Sequence, residues 1–441
     1  MISSLAQLVE KFKQLECDDG ILVKFLAEND NSKNQVYFGS NFEALNMFPN
    51  LDLEPSPRNN TVKASLDFHW ISEDGSVCRA PGAQLIFYPQ YPEVRFSGFL
   101  QGCENRPSDL MNKRLDGRVL VLGISSSGRV LGFVVEGDSS IAHEIKDRIE
   151  PDPESVFQEL EISPQSGRDI LIDRLREIHK KGWIDGWRLN ADGESLDCFA
   201  PNCGGYTLEA ELGVIPNAEA RPDFKGWEVK QYKVRDLDDP NSGGAITLMT
   251  PEPDCGFYST HGVDYFVMKY GYTSGSTPGR RNFGGVHRYD DIHPKTELKM
   301  MLKGFNEVRQ KITDINGCVA LVDPQDNLAA GWTYVKLMKH WNKKHNKAAY
   351  VPSQTLKFEC GKRQYHYGHK IRLCQNTDFI LFLNAMADRK AYYDPGIKLT
   401  GLGTDRHKTK RRSQFRIHAR NVICLYRKDE IVNLVSARNF D

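Results

Sequence analysis

Residues 204–232, GGYTLEAELGVIPNAEARPDFKGWEVKQY, gather three carboxylates and one lysine in a pattern suited to metal-assisted hydrolysis of a phosphodiester. Within and just past this stretch, FKGWEVKQYKV (224–234) alternates around Trp227 and Val229 and reads as a β-strand. Side chains two apart on a strand share a face, which puts Glu228 and Lys230 side by side. Asp223 follows Pro222 just ahead of the strand, where a turn can carry its carboxylate to the side on which Glu228 emerges. Two carboxylates supply the hard oxygens that Mg2+ prefers and leave sites for water and phosphate. A lysine beside them can orient an attacking water and offset the charge that builds on the phosphate in the transition state. Glu209 is the fourth member: in TLEAELG (207–213), Leu208 and Leu212 lie four apart and give a short helix an apolar stripe, which Gly213 ends. Taken alone, Asp-x4-Glu-x-Lys arises by chance on the order of once in ten chains of this size. The surrounding stretch has to carry the reading.

That stretch resembles the MvaI/BcnI family of restriction endonucleases, relatives of the mismatch-repair nicking enzyme MutH. Gly205, Thr207, Leu208 and Glu209 match the family's helix motif, and Asp223, Glu228 and Lys230 match its Asp and Glu-x-Lys at the family's spacing. The resemblance runs from Ser166 to the C-terminus. It implies an α/β, mixed-sheet, restriction-endonuclease-like catalytic domain of the PD-(D/E)xK type, in which Asp223 and Glu228 bind Mg2+, Lys230 assists the water and Glu209 helps hold the metal-water network. It also implies type II cleavage of double-stranded DNA at a short G·C-containing site, leaving 5′-phosphate ends, by a monomer with a partner methyltransferase. A mismatch-repair nicking enzyme and a non-catalytic DNA-binding regulator are the rival readings. Mutually repelling carboxylates beside a lysine argue against the regulator, since binding alone gives no reason to keep them together.

A chain of 441 residues is too long for one core and points to two domains. Basic and acidic residues balance at 58 each, so only the local distribution of charge can point to nucleic acid. The 10 cysteines are scattered and no secretory signal opens the chain, which suggests reduced thiols in a cytoplasm. No run reaches the roughly 20 apolar residues needed to cross a membrane.

Residues 1–150 read as a mostly β domain. An opening amphipathic helix precedes ILVKFLAEND (21–30) and QVYFGS (35–40), read as strands around a polar loop, and a short helix in NFEALNMF (41–48). TVKASLDFHWI (61–71), AQLIFYP (83–89), EVRFSGFL (93–100), GRVLVLGIS (117–125) and GRVLGFVVE (128–136) follow as strand-like runs, then a helix in SSIAHEIKDRI (139–149). The order of these pieces resembles the N-terminal effector domain of the restriction enzyme EcoRII, a DNA-binding pseudobarrel with two arms that grip the major groove. On that resemblance the arms are 29–37 and 88–99, with Lys33, Asn34, Gln35, Gln90, Glu93 and Arg95 as DNA contacts to the same or a similar sequence, hence a second DNA copy. Solvated hairpin tips would offer the same residue types. EPDPE (150–154) marks the junction, with 151–165 as linker and 166–441 as the catalytic domain.

In that second domain, SGRDILIDRLREIHKKGWI (166–184) reads as an amphipathic helix, NSGGAITLMTPEPDCG (241–256) as another strand of the catalytic sheet, and VDYFVMKYGYT (263–273) as a further strand. TELKMMLKGFNEVRQKIT (296–313) reads as an amphipathic helix, CVALVD (318–323) as a strand and WTYVKLMKHWNKKHNK (332–347) as a helix whose lysines form its wet face. GYTSGSTPGRRNFGG (271–285) lacks the order of a nucleotide phosphate loop, and its Arg280 and Arg281 are candidates for the DNA backbone. TDRHKTKRRSQFRIHAR (404–420) concentrates positive charge before the strand-like NVICLY (421–426). Its Asp405, Arg406, Lys408, Lys410, Arg411, Arg412 and Arg416 form the best DNA-recognition loop, since phosphate binding needs local positive charge and arginine reads guanine. Cys198 with Cys203, or Cys360, His366, His369 and Cys374, would make a zinc site, but neither set has the tight Cys-x-x-Cys pairs of a structural one.

Overall fold

In a computed structural model of the chain, which describes all residues except 18–20, 29–34, 40–41, 43, 49–50, 57–59, 92, 114–116, 126, 150–155, 161–164, 217–221, 405–406 and 436–441, the short apolar runs of the unit Met1–Ile170 form two β-sheets. The first has the order Gln158–Leu160, Ile21–Leu26, Arg118–Ile124, Val130–Val135, Phe68–Ile71, Val77–Arg79. Its strands are antiparallel except where Val130–Val135 runs parallel to Phe68–Ile71. The second is antiparallel throughout, in the order Val36–Tyr37, Glu93–Ser97, Gln84–Tyr88, Thr61–Ser65, Asp52–Ser56. Aromatic rings join the sheets: Phe96 of the second lies 5.0 Å from Phe68 of the first, and Phe38 stacks on Phe96 at 5.1 Å. Helices Leu5–Gln14 and Ser140–Arg148 cover the first sheet, burying Leu5, Leu8, Phe12, Ile141 and Ile145 with Val121, Leu131 and Phe133.

Two sequence readings change here. TVKASLDFHWI is not one strand but two, Thr61–Ser65 and Phe68–Ile71, placed in different sheets. The strands read at Ile21 and Val36 both form, in separate sheets. Part of the stretch expected as linker is strand: Phe157 and Leu160 are apolar and buried, and Gln158–Leu160 pairs with Ile21–Val23.

The second unit, Leu171–Asp441, is built on a six-stranded mixed sheet. Trp183–Asp185, Arg363–Tyr367, Lys347–Lys357, Lys370–Thr377 and Tyr426–Asn433 lie in that order, and Glu228–Lys233 joins Lys347–Lys357 in parallel. One face carries Val229, Ala349, Val351, Tyr365 and Tyr367, which pack on Leu171, Leu175 and Ile178 of helix Gly167–Lys180 and Leu208 of helix Cys203–Glu211. Side chains alternate along a strand, so Glu228 and Lys230 look out from the opposite face.

Four readings of this unit are corrected. The strand expected at 263–273 is the end of helix Phe257–Tyr270: Val263, Phe266, Val267 and Tyr270 are buried at helical spacing, which a short apolar run shares with a buried strand. The helix expected at 296–313 is instead the strands Lys299–Lys303, Phe305–Asn306 and Lys311–Ile312, in the first of which Met300 and Leu302 are buried between half-buried and exposed neighbours. Ala245–Met249 is a strand, but it pairs with Phe415–His418 in a separate three-stranded sheet. Residues 421–425 belong to a 3-10 helix, Ala419–Leu425, and the strand begins only at Tyr426. The strand Cys318–Val322 forms as read, and the helices expected at 166–184 and 332–347 form as Gly167–Lys180 and Tyr334–Lys344, shorter because Trp183–Asp185, Leu328–Thr333 and Lys347–Lys357 are strands. Among the described residues no helix is long and apolar enough to cross a membrane.

Candidate active site

The turn between Asp223 and Glu228 explains why the spacing works. Phe224 and Trp227 exchange backbone hydrogen bonds of 3.0 and 2.9 Å, and the two residues between them, Lys225 and Gly226, adopt φ of 47° and 80°. Two consecutive left-handed residues make the tight turn that reverses a chain between paired strands, and glycine fits the second position because it has no Cβ. The reversal folds Asp223 back against the strand, where its Oδ2 accepts the Val229 amide at 2.9 Å.

On the strand itself Glu228 is 4% exposed and its Oε1 accepts a hydrogen bond from Lys230 Nζ at 2.9 Å. Burial pushes the Lys230 ammonium down, but the carboxylates of Glu228, Asp223 and Glu209 pull it up and win, leaving its pKa above the ordinary value. The three carboxylates singled out in the sequence therefore all act on Lys230. Glu209 stands half-buried on helix Cys203–Glu211, which is fastened from its other side. Thr207 Oγ1 donates to the Trp187 carbonyl at 3.0 Å, and Glu211 accepts from the Trp187 indole at 2.9 Å and from Lys181 Nζ at 2.6 Å. Tyr367 hydroxyl donates to the Gly204 carbonyl at 2.8 Å. The matched motif glycine was Gly205, yet a Cβ there would meet open space; a Cβ on Gly204 would lie 2.9 Å from Gln231 Oε1 and 3.0 Å from Tyr365. Gly204 is the one that allows helix and sheet to approach.

Two neighbours carry no motif and were missed. His345 is buried, with Nδ1 3.0 Å from the Trp341 carbonyl and Nε2 3.1 Å from the Leu248 carbonyl. Burial first and the Lys230 charge second push its pKa down to about 4, against the pull of Glu228. Tyr350, the register partner of Lys230, shares a 2.9 Å hydroxyl contact with Tyr426 inside the sheet. Tyr350 has only its apolar sequence neighbours as a signal, and His345, set among lysines and asparagines, has none.

A divalent ion implied by this constellation is met by its chemistry. Asp223 and Glu228 offer hard oxygens at the end of a rigid strand, and Mg2+ commonly takes one or two carboxylates and fills its remaining positions with water and phosphate. Neither zinc arrangement drawn from the sequence forms, and among the described residues no group of three or more His, Cys, Asp or Glu side chains is placed to hold a metal. Cys198 and Cys203 form a disulfide with Cα atoms 5.8 Å apart, which corrects the expectation of reduced thiols throughout: the loop before the helix brings the two residues together. Cys360 is exposed and Cys374 buried, while His366 and His369 each lie 5.4 Å from the His179 ring.

The candidate DNA contacts fall into different situations. Arg281 donates to the Val267 carbonyl at 3.3 Å and to that of Gly271, so it caps helix Phe257–Tyr270. Arg416 bonds Asp394 at 2.6 Å and the Ala245 carbonyl at 2.9 Å. Arg412 lies against Gly396, and Arg280 donates to Asn282 at 2.7 Å. Lys408, Lys410 and Arg411 are exposed, the first two on a strand paired with Gly396–Thr400. In the first unit, pairing of Val36–Tyr37 with Glu93–Ser97 brings the two expected arms together: Arg95 donates to Glu93 at 2.9 Å and to Gln35 at 3.4 Å, and lies 5.8 Å from the Tyr88 ring. Gln90 is exposed in the adjoining turn. Lys33, Asn34, Asp405 and Arg406 lie outside the described residues.

The sequence profile described as the MvaI/BcnI restriction endonuclease family matches residues 172–426. Among solved structures, a restriction endonuclease MvaI–cognate DNA substrate complex is 15% identical, with a TM-score of 0.45 over 61% of this chain and 99% of that chain. Restriction endonuclease MvaI in the absence of DNA is 14% identical, with a TM-score of 0.34 over 62% of this chain and 100% of that chain. No curated protein sequence matches the chain.

Proposed function

Because this chain belongs to the MvaI/BcnI restriction endonuclease family, we propose that it is a Mg2+-dependent type II restriction endonuclease of the PD-(D/E)xK type. It hydrolyses both strands of double-stranded DNA at a short G·C-containing site and leaves 5′-phosphate ends. The observation that carries the reading is the convergence of Glu209, Asp223 and Glu228 on the Lys230 ammonium.

Asp223 and Glu228 are the residues that would hold Mg2+, which when bound lowers the pKa of a water and withdraws charge from the phosphate. Lys230 stays protonated in the field of three carboxylates, so it acts as a donor: it orients the nucleophile and neutralises charge that grows on the phosphate oxygens. Its 2.9 Å bond to Glu228 sets the height of the ammonium above the strand. Glu209, on a separate element, shapes the water network from the far side. Lys408, Lys410, Arg411 and Arg412 are exposed cations of the recognition loop and contact DNA.

Residues 1–150 act as an effector domain that binds a second copy of the same or a similar sequence and adds affinity through a second contact. What supports this is the joint placement of Gln35, Glu93 and Arg95, a set able to read adenine, cytosine and guanine edges. The enzyme works as a cytoplasmic monomer beside a partner methyltransferase.

The test is substitution of Asp223 or Glu228 by Ala in the full chain, with plasmid cleavage in Mg2+ and DNA binding in Ca2+ measured together. Cleavage is expected to fall by at least about a thousandfold with binding retained. Cutting that survives either substitution overturns the assignment.

A further inference from the structure

Lys347–Lys357, the strand beside the candidate catalytic strand, is longer than its partner. Only residues 348–353 pair with Glu228–Lys233; residues 353–357 pair with Arg363–Tyr367, and the chain turns through 358–362. The turn is ordered, closed by 3.0 Å bonds from the Phe358 amide to the Lys362 carbonyl and from the Gly361 amide to the Phe358 carbonyl. At its tip Leu356 and Phe358 are each 44% exposed, with exposed Lys357 and Lys362 around them and Glu359 as the sole acid in residues 354–364. Arg363, beside the turn, donates to the backbone carbonyl of Phe199, itself 51% exposed, at 2.9 Å.

Apolar side chains are normally turned inward, and two large ones, Leu356 and Phe358, exposed at the end of a basic hairpin call for an occupant. Strand alternation says where they look. Ala348 and Tyr350 stand opposite Glu228 and Lys230, and Leu356 continues that row, so it lies on the candidate catalytic face. Leu356 lies six positions beyond Tyr350, about 20 Å of strand, or roughly six base steps of a duplex. A duplex laid across Lys230 with its axis along this strand would meet the tip there. The combination of lysines with a small apolar wedge is the chemistry used against the minor groove, where cations take the flanking phosphates and the wedge presses between base steps.

We propose that the hairpin 354–364 is a second DNA-binding element of the nuclease unit: Leu356 and Phe358 press into the minor groove some six base pairs from the scissile phosphate, and Lys357 and Lys362 hold the phosphates on either side. The inference rests on the nuclease reading above. It predicts a determinant of affinity and of flanking-sequence preference, since a wedge favours steps that unstack easily.

Cys360 lies at this tip and is exposed, whereas the other free cysteines are buried or half-buried. The full chain would be bound in Ca2+ to duplexes carrying an activated disulfide on a minor-groove tether. Cys360 Sγ would attack that disulfide, forming a mixed disulfide with the tether and releasing the leaving thiol. Cross-linking is expected to peak when the tether lies about six base pairs from the cut and to vanish in Cys360→Ser. In parallel, Leu356→Ala/Phe358→Ala is expected to raise Kd and KM roughly tenfold with kcat little changed. Lys357→Gln/Lys362→Gln should lower the salt slope of binding by about two. A wild-type chain that binds and cuts DNA without cross-linking at Cys360, with hairpin variants that bind and cut as it does, overturns the hairpin assignment alone. The same holds if those substitutions change only association with another protein. A wild-type chain that neither binds nor cuts DNA overturns the nuclease reading and the hairpin with it.

Discussion

Two lysines, one in each unit, are both drawn partly out of water, and their pKa values move in opposite directions. Lys24 lies on strand Ile21–Leu26 with its ammonium 6.0 Å from the Phe157 ring, and burial alone pushes it down to about 8. Lys230 is also desolvated, but Glu228, Asp223 and Glu209 more than reverse the effect. Burial disfavours a charge wherever it occurs; only a placed set of opposite charges keeps the charge available for chemistry. A lysine on a strand is therefore not a signal by itself, and what marks Lys230 is the company its neighbouring elements bring.

The strongest way to break that comparison is Lys230→Met. Cleavage should fall by about a thousandfold or more. The fold should also weaken by about 3 kcal/mol, because Glu228 stays buried without its counter-ion. Plasmid cleavage and denaturant unfolding of the same preparation read both effects, and a variant that cuts within tenfold of wild type would remove Lys230 from the chemistry.

The matching change in the other unit has the opposite sign. Lys24→Met should stabilise the protein at pH 7 by about 1 to 3 kcal/mol, because a charged ammonium held in an apolar setting is replaced by an uncharged chain of similar length. The folded pKa is about 8 and the ordinary value 10.5, so between those values the unfolded chain binds more protons than the folded one. Wild-type stability gains on the variant through that window, and the difference disappears above about 10.5. Unfolding curves at pH 7 and 10.5 decide; a variant less stable than wild type at pH 7 would mean that Lys24 has a counter-ion after all.

The smallest effects concern the helix that supplies Glu209. Gly204→Ala places a Cβ within 3.0 Å of Gln231 and Tyr365, which should cost about 1 to 3 kcal/mol and slow cleavage as the helix shifts. Gly205→Ala enters open space in a helix interior and should be neutral or stabilising by about 0.5 kcal/mol. If the two behave alike, the approach of Glu209 to Lys230 does not depend on Gly204.

Local chemistry, together with the family resemblance of the stretch around it, made the core of the site legible. The pairing of Glu228 with Lys230 follows from the strand period of two, and Asp223 reaches them through a turn of Lys225 and Gly226, residues adjacent in the sequence. Helices with long amphipathic stripes, such as Gly167–Lys180, could be read for the same reason. Where an apolar run was short, both periods fitted it, and the packing around it decided: 257–270 became helix and 299–312 strands. Positive charge could be located but not assigned. Arg281 and Arg416 bind carbonyls 14 and 171 positions away in the chain, while Arg411 remains at the surface. The third carboxylate around Lys230, the close approach at Gly204 and the buried His345 likewise depend on elements that meet only when the sheet has formed. The sequence determined what neighbours a few residues apart can do to each other; the tertiary structure decided which distant groups share a low-dielectric space, and that sharing sets whether a charge is neutralised, bound to backbone or left free to act.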